Sequence, residues 1–271
     1  RFKCDWSSDV CSSDLAVVVA GDVDPAKVLA LAQKTYGAIP PRAVPARKPR
    51  TEPVQQGLRR IDFKAPAEQA YVALAFHVPG ISRIEDMGDS DRDGLALLVL
   101  SAVLSGYDGA RLERALTQGA DRVADAADSQ ASVFGRGPSL FLMTGVPAAG
   151  KTSSQVEDAL RAEIARVVRE GVSEAELSRV KTQWAASTIY ARDSLYSQAS
   201  DLGSNWVQGL PLDATERLLR LLRAVTPEQV QSVAARYFGD DQLTVTTLLP
   251  QPVAGGARRA APAPGTGERM H

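Results

Sequence analysis

The chain has 271 residues, of which 44% are hydrophobic and 23% charged, and its formal net charge is −1 at pH 7. This is the make-up of an ordinary globular protein, one large domain or one and a half smaller ones. So neutral a balance gives no sign of a nucleic-acid or anionic-membrane partner, and no apolar run reaches the ~18 residues of a membrane span.

Both cysteines, Cys4 and Cys11, fall in the first fifteen residues, RFKCDWSSDVCSSDL. That segment repeats Ser-Ser-Asp, has no periodicity or initiator Met, and lacks the apolar stretch of a signal peptide. It reads as foreign or misread sequence, of the kind a translated cloning adapter gives; a disulfide hairpin is the alternative. The rest of the chain is cysteine-free and carries no sign of redox compartment.

Ordered structure is expected from residue 16. The run Ala16-Val17-Val18-Val19-Ala20 predicts a short buried strand of β-branched residues. Gly21-Asp22 turns the chain, and Asp24-Pro25 opens a helix with Asp as N-cap and Pro in the first position. Val28, Leu31, Ala32 and Tyr36 form its apolar stripe, and Gly37 stops it. This strand–helix unit over 16–40 is an orphan, because its strand needs neighbours. Residues 41–66, with Pro41, Pro45, Pro49 and Pro53 among many basic residues, read as an extended surface linker.

A second unit begins near Glu68. Its first strand alternates, with Val72, Leu74, Phe76 and Val78 on one face and Tyr71, Ala73, Ala75 and His77 on the other. Helices near 91–105 and 109–118 and two strands near 122–133 and 138–146 follow, the strands pairing antiparallel. A long helical run comes next, opened by three capping boxes: Ser154 with Glu157, Ser173 with Glu176, and Thr226 with Gln229 behind Pro227. Val156, Leu160, Ile164 and Val167 form one stripe, and Leu177, Val180, Trp184 and Thr188 begin another. The strand 243–249 closes the domain, and an Ala/Gly/Pro/Arg tail over 251–271 is expected to be disordered. Strands, then helices, then one last strand predict an α+β fold with helices packed on a mixed sheet.

Two motifs carry chemistry on their face. Gly145-x-x-x-x-Gly150-Lys151-Thr152 matches the P-loop pattern between a strand and a helix, which would cradle phosphates on backbone N–H groups. A P-loop domain also needs later parallel strands, one ending in a metal-holding Asp, whereas helices follow here. A strand-to-helix loop with a solvated lysine is the competing reading. Asp89-Ser-Asp91-Arg-Asp93-Gly94 copies the first half of a calcium loop, but the position of the bidentate Glu holds Leu100. Acidic residues at a helix N-terminus explain it as well. The histidines are His77 and His271, too few for a zinc site built on about three protein ligands, so His77 is expected to be a half-buried or interface side chain. No G-x-S-x-G elbow accompanies it, and the sequence offers no catalytic or metal-ligating constellation and leaves the substrate-binding residues unassigned.

The order of several phrases resembles one family. Val17-Val18-Val19-Ala20-Gly21-Asp22-Val23-Asp24, the helix after it and Tyr36-Gly37 resemble the end of the first domain of insulinase/pitrilysin-type zinc metallopeptidases. Gln69 to Pro79, Leu104-Ser105-Gly106 and Ala110-Arg111-Leu112 look like the start of the second domain. Glu170-Gly171-Val172-Ser173-Glu174-x-Glu176-Leu177-x-x-x-Lys181 and Val225-Thr226-x-x-x-Val230-x-x-Val233-Ala234-x-x-Tyr237 are similar to its later helices. The likeness covers about 16–250.

The resemblance implies a mostly antiparallel sheet with helices packed on it, the insulinase/mitochondrial-processing-peptidase-like fold. It implies that 16–40 is the last strand and helix of a truncated N-terminal domain, and that 67–250 is a metal-free C-terminal domain. In that family two such domains enclose a chamber for unfolded peptides, and the first carries zinc on H-x-x-E-H plus a downstream Glu. This chain has no H-x-x-E-H, so it is expected to be inactive alone and to form the wall opposite a zinc-bearing partner. Where many members carry an Arg and a Tyr that contact substrate, this sequence aligns Thr117 and Ala124, with Arg122 nearby. A homodimer through the uncovered 16–37 unit is also expected, and the resemblance implies a periplasmic or otherwise exported setting for the intact protein; a P-loop nucleotide-binding protein using Gly145–Thr152 and a purely structural subunit are the alternative readings.

Overall fold

A computed structural model of the chain describes residues 16–40, 53–135 and 139–252. The readings of 1–15, 41–52 and the tail from 253 lie outside the described residues. The elements are α1 (Pro25–Thr35), β1 (Arg59–Pro66), β2 (Tyr71–Val78), α2 (Asp89–Ser105), a π turn (Glu113–Thr117), β3 (Ala124–Ser132) and β4 (Ser139–Pro147). They continue with α3 (Ser153–Glu170), α4 (Glu174–Ala191), α5 (Leu195–Gln208), α6 (Ala214–Ala224), α7 (Pro227–Tyr237), a 3-10 turn (Asp240–Gln242) and β5 (Leu243–Gln251). The fold is α+β, as the order of patterns predicts.

The five strands lie in the order β1-β5-β2-β4-β3; β1 runs parallel to β5 and every other pair is antiparallel. Alternation in β2 decides the layering. Val72, Leu74 and Phe76 are buried beneath α2, α3 and α7 together with Phe141, Met143, Leu243 and Val245 from the neighbouring strands. Phe238 closes this core, its ring 4.7 Å from Phe76 and 4.8 Å from Phe141. Gly145 is a packing residue. A Cβ there would sit 2.4 Å from Val156, so the bare backbone is what lets α3 lie close on β4.

Five sequence expectations need correction. Residues 16–20 are exposed and form no strand, since no described residue pairs with them. Helix α1 keeps its predicted cap, Asp24 accepting from the N–H of Ala26 and Lys27, but its apolar stripe is uncovered. Residues 59–66 are a strand rather than linker. Only Ile61 and Phe63 mark it as apolar, and as an edge strand it needs no buried face, so its pattern is too thin to read. The helix expected at 109–118 ends in the π turn. The capping box of α3 is Thr152 with Gln155, not Ser154 with Glu157. Glu157 is instead buried and bidentate to Arg60 of β1 at 2.8 Å for both bonds, which fastens the edge strand to α3.

The boxes at Ser173 and Thr226 form as predicted. Glu176 does more than cap. It takes Arg111 Nε and Nη2 at 2.7 and 2.8 Å, joining α4 to the start of the π turn. The Arg111 guanidinium, with Ser173 behind it, holds the Glu176 carboxyl down from 4.5 to about 2 against the opposing effect of burial. A carboxylate with a depressed folded pKa adds stability that is fully present above pH 4.5 and lost as pH falls toward 2. Glu176→Gln is therefore expected to lower stability at pH 7 by roughly 2–3 kcal/mol. It should also flatten the acid limb of a urea-denaturation pH series; an unchanged limb would refute the coupling.

Candidate functional site

Helices α2, α3 and α7 all cover one side of the sheet, and α4 and α6 pack behind α2. Among the described residues no helix packs on the other side. The strand registers place Ile61 and Phe63 of β1, Thr244, Thr246 and Leu248 of β5, and Tyr71, Ala73, Ala75 and His77 of β2 there. Leu140, Leu142 and Thr144 of β4 and Asp128 and Gln130 of β3 continue the surface. It is graded: apolar at the β1 end, where Phe63 is 59% and Ile61 52% exposed, and polar at the β3 end. His77 is half-buried on this face, as its place in the alternation predicts.

The β3 edge runs beside a cleft of about 460 Å³ between the end of α2, the π turn and α4. Thr117, Glu113, Asp108, Asp125 and Gln183 line it. Thr117 spends its hydroxyl on Glu113 O at 2.9 Å, and Ala124 is buried at the start of β3. Arg122 is committed to Asp125 at 3.1 Å. The positions aligned with an Arg and a Tyr thus carry no free polar group toward the cleft. A π turn marks a strained stretch of helix and often sits at a functional surface; no signal in the sequence separates it from an ordinary helical turn.

The two motifs are structural. In the P-loop look-alike, Ala148 N–H donates to Val123 O, Lys151 N–H to Ala148 O, and Thr152 N–H to the Gln155 side chain. Those N–H groups are spent within the fold, and the Thr152 hydroxyl caps α3. In the calcium look-alike, buried Asp91 accepts from Ser82 N–H and hydroxyl and from the N–H of Gly88 and Arg83. Burial alone would raise its carboxyl, and these bonds outweigh that and lower it. Asp93 is bound by Arg236 and by the Tyr237 hydroxyl.

A catalytic zinc does not fit either. Among the described residues no group of three or more His, Cys, Asp or Glu is placed to hold a metal ion. His77 faces a sheet of alanines, leucines and threonines, not a donor set.

The sequence model of the peptidase M16 inactive domain matches residues 12–184. The chain belongs to that family. No curated protein matches it. Among solved structures, a protease from Helicobacter pylori superposes with a TM-score of 0.74 at 23% identity over 85% of this chain and 54% of its own. A peptidase M16 inactive domain from Pseudomonas fluorescens gives 0.63 at 21% identity, over 85% of this chain and 52% of its own. The first half of the periplasmic protease PqqL from Escherichia coli gives 0.66 at 17%, over 85% of this chain and 50% of its own. This M16 chain therefore spans about half the length of these proteins. At such identities the likeness is one of fold.

The spent N–H groups make a direct forecast for nucleotides. Isothermal titration of this M16 domain with Mg-ATP is expected to give no heat of binding, and Lys151→Ala to leave its melting temperature unchanged. Saturable binding that the substitution abolishes would reinstate the phosphate loop.

Proposed function

We propose that this M16 domain is the non-catalytic half of a zinc metalloendopeptidase, and that its uncovered sheet face forms the chamber wall opposite a zinc-bearing domain. The single observation behind this is the one-sided sheet. A five-stranded sheet that leaves Ile61, Phe63, Tyr71 and Leu248 without a helical cover offers an extended apolar surface to an unfolded peptide. The half-length match to proteases from Helicobacter pylori and Escherichia coli supports the same division of labour. Zinc and the water-activating Glu would both come from the partner, and this half would bind and orient the chain to be cut.

On this reading residues 16–40 complete the partner domain rather than this one. Val17, Val19, Leu29, Leu31 and Tyr36 are all exposed, a composition suited to the inside of another sheet-and-helix layer. Val18 rests on the small-residue face of α5, where a Cβ on Gly203 would come within 3.0 Å of it. The partner's contact would then extend onto Tyr196 of α5, which is exposed beside it.

The purified chain supplied with Zn²⁺ is expected to cleave nothing in a quenched fluorescent peptide library. Co-expressed with an H-x-x-E-H-bearing half, it should yield a complex whose hydrolysis a chelator abolishes. Phe63→Asp on the open face should then cut kcat/KM about tenfold, roughly the contribution of one buried aromatic contact, with the complex intact. Chelator-sensitive hydrolysis by this chain alone would overturn the proposal.

Left without that partner, the exposed 16–37 unit should drive self-association. Light scattering is expected to give dimers or larger species for the isolated chain, and Leu31→Glu with Tyr36→Glu to return it to monomer. A wild-type monomer would remove the case for a covered interface there.

A further inference from the structure

Helix α5 presents its apolar side to solvent. At 3.6 residues per turn, Leu195, Tyr196, Ala199, Leu202, Gly203 and Trp206 share an arc of about 120°. Ser197, Gln198, Asp201, Ser204 and Asn205 lie opposite. A helix of a globular domain ordinarily buries its apolar arc. In α5 the polar side is set against the domain instead. Asn205 is its buried residue and donates to Leu212 O at 3.4 Å, and Gln198 donates to Arg192 O at 2.7 Å. Gln198 and Asp201 also face Thr188 of α4 and Glu216 of α6 across a cavity of about 360 Å³. The apolar arc points away. Tyr196 is 82%, Trp206 67% and Leu195 57% exposed, and among the described residues no helix or strand packs closely on it.

What touches the arc is the start of the described chain. Val18 stands 3.0 Å from where a Cβ on Gly203 would lie, and Ala16 and Val18 line a hollow of about 520 Å³ with Tyr196, Ala199 and Gly203. On either side of Val18, Val17 and Val19 are 65% and 53% exposed. A β-branched run with one side chain on a helix and its neighbours turned out has the form of one strand of a sheet that the helix covers. Other occupants fit less well. A second α5 could not enter the hollow without displacing Val18. A helix lying on a membrane carries Lys or Arg along its polar side, whereas the single charge of α5 is Asp201.

We infer, resting on the reading of 16–40 as part of the zinc-bearing half, that α5 is a cover this domain supplies to that half's sheet. The surface it meets is the apolar face of a β-sheet in which 16–20 is one strand. Leu195, Tyr196, Leu202 and Trp206 pack on the strands beside it. The inverted pattern of α5 follows from that role. A helix that covers another domain's sheet keeps its polar residues for its own domain, where Gln198 and Asn205 bind carbonyls just after α4 and just before α6.

Tyr196→Lys with Trp206→Lys tests this in the chain co-expressed with the H-x-x-E-H-bearing half. Both side chains are exposed in this domain, so the variant alone should melt as wild type does. Its affinity for the other half should fall about thirtyfold, the scale of an interface that loses aromatic anchors. In the wild-type complex, Trp206 emission, read against Trp206→Phe, should move to shorter wavelength. That shift decides the question even if the two lysines unfold the chain. Unchanged affinity, an unmoved emission, or a wild-type chain that does not bind the other half would each overturn the inference. So would either rival occupant: a Leu31→Glu/Tyr36→Glu chain that still pairs with its own copies through Trp206, or a Trp206 shift on neutral phosphatidylcholine vesicles. Hydrolysis is a separate readout. A complex that depends on α5 but cuts no peptide would sink the peptidase reading and keep this one. A complex that cuts peptide and binds the double variant as tightly as wild type would do the reverse.

Discussion

A sheet covered on one side only sets the terms for everything else in this molecule. The covered face can use large residues without restraint, and β2, β4 and β5 do so with Leu74, Phe76, Phe141, Met143 and Leu243. Its partner face must stay compatible with water or find another cover. Alanines at 73 and 75 and threonines at 144, 244 and 246 keep most of it modest, while Ile61, Phe63 and Tyr71 at one end do not. That imbalance is the physical reason for reading the bare face as a surface meant to be met by something else.

Keeping α2, α3 and α7 on one side of the sheet loads the joints between layers, and ion pairs sit at those joints. Arg60 and Glu157 fasten the exposed β1 to α3, and Arg111 and Glu176 fasten the π turn to α4. Asp91 sits at the head of α2 and gathers four donors from the loop before it. Each of these three carboxylates is matched by donors, as the cost of burying an unpaired charge requires. The same economy explains why two ligand motifs occur in a chain that uses neither. Glycines, a Thr cap and a run of aspartates are what tight helix starts need, and phosphate and calcium loops draw on the same residues.

Much of the fold was legible because it is local. The alternation from 71 to 78, the stripes of α3 and α4 and the boxes at Ser173 and Thr226 are short-range patterns, and each became the element it announced. Failures came where identity depends on distant partners. Residues 59–66 are a strand only because β5, some 185 positions later, runs parallel alongside. The valines at 17–19 look like a buried strand, but a strand without neighbours is not one. Glu157 was assigned to a cap three residues away and instead bonds Arg60, 97 positions earlier. The candidate site was barely legible, since an open face is defined by which helices are absent from it, and no residue encodes that alone.

By itself the sequence determined the α+β class, the strands over 71–78 and 243–249, the starts of α4 and α7 and, through several spaced phrases, the family. Those are properties of composition and of neighbours a few residues apart. Only the tertiary structure decided which face of the sheet is bare and that the N–H groups of Ala148, Lys151 and Thr152 are already spent within the fold. The reason is that burial and hydrogen-bond satisfaction are properties of a residue's surroundings, and in a packed domain those surroundings come from far along the chain.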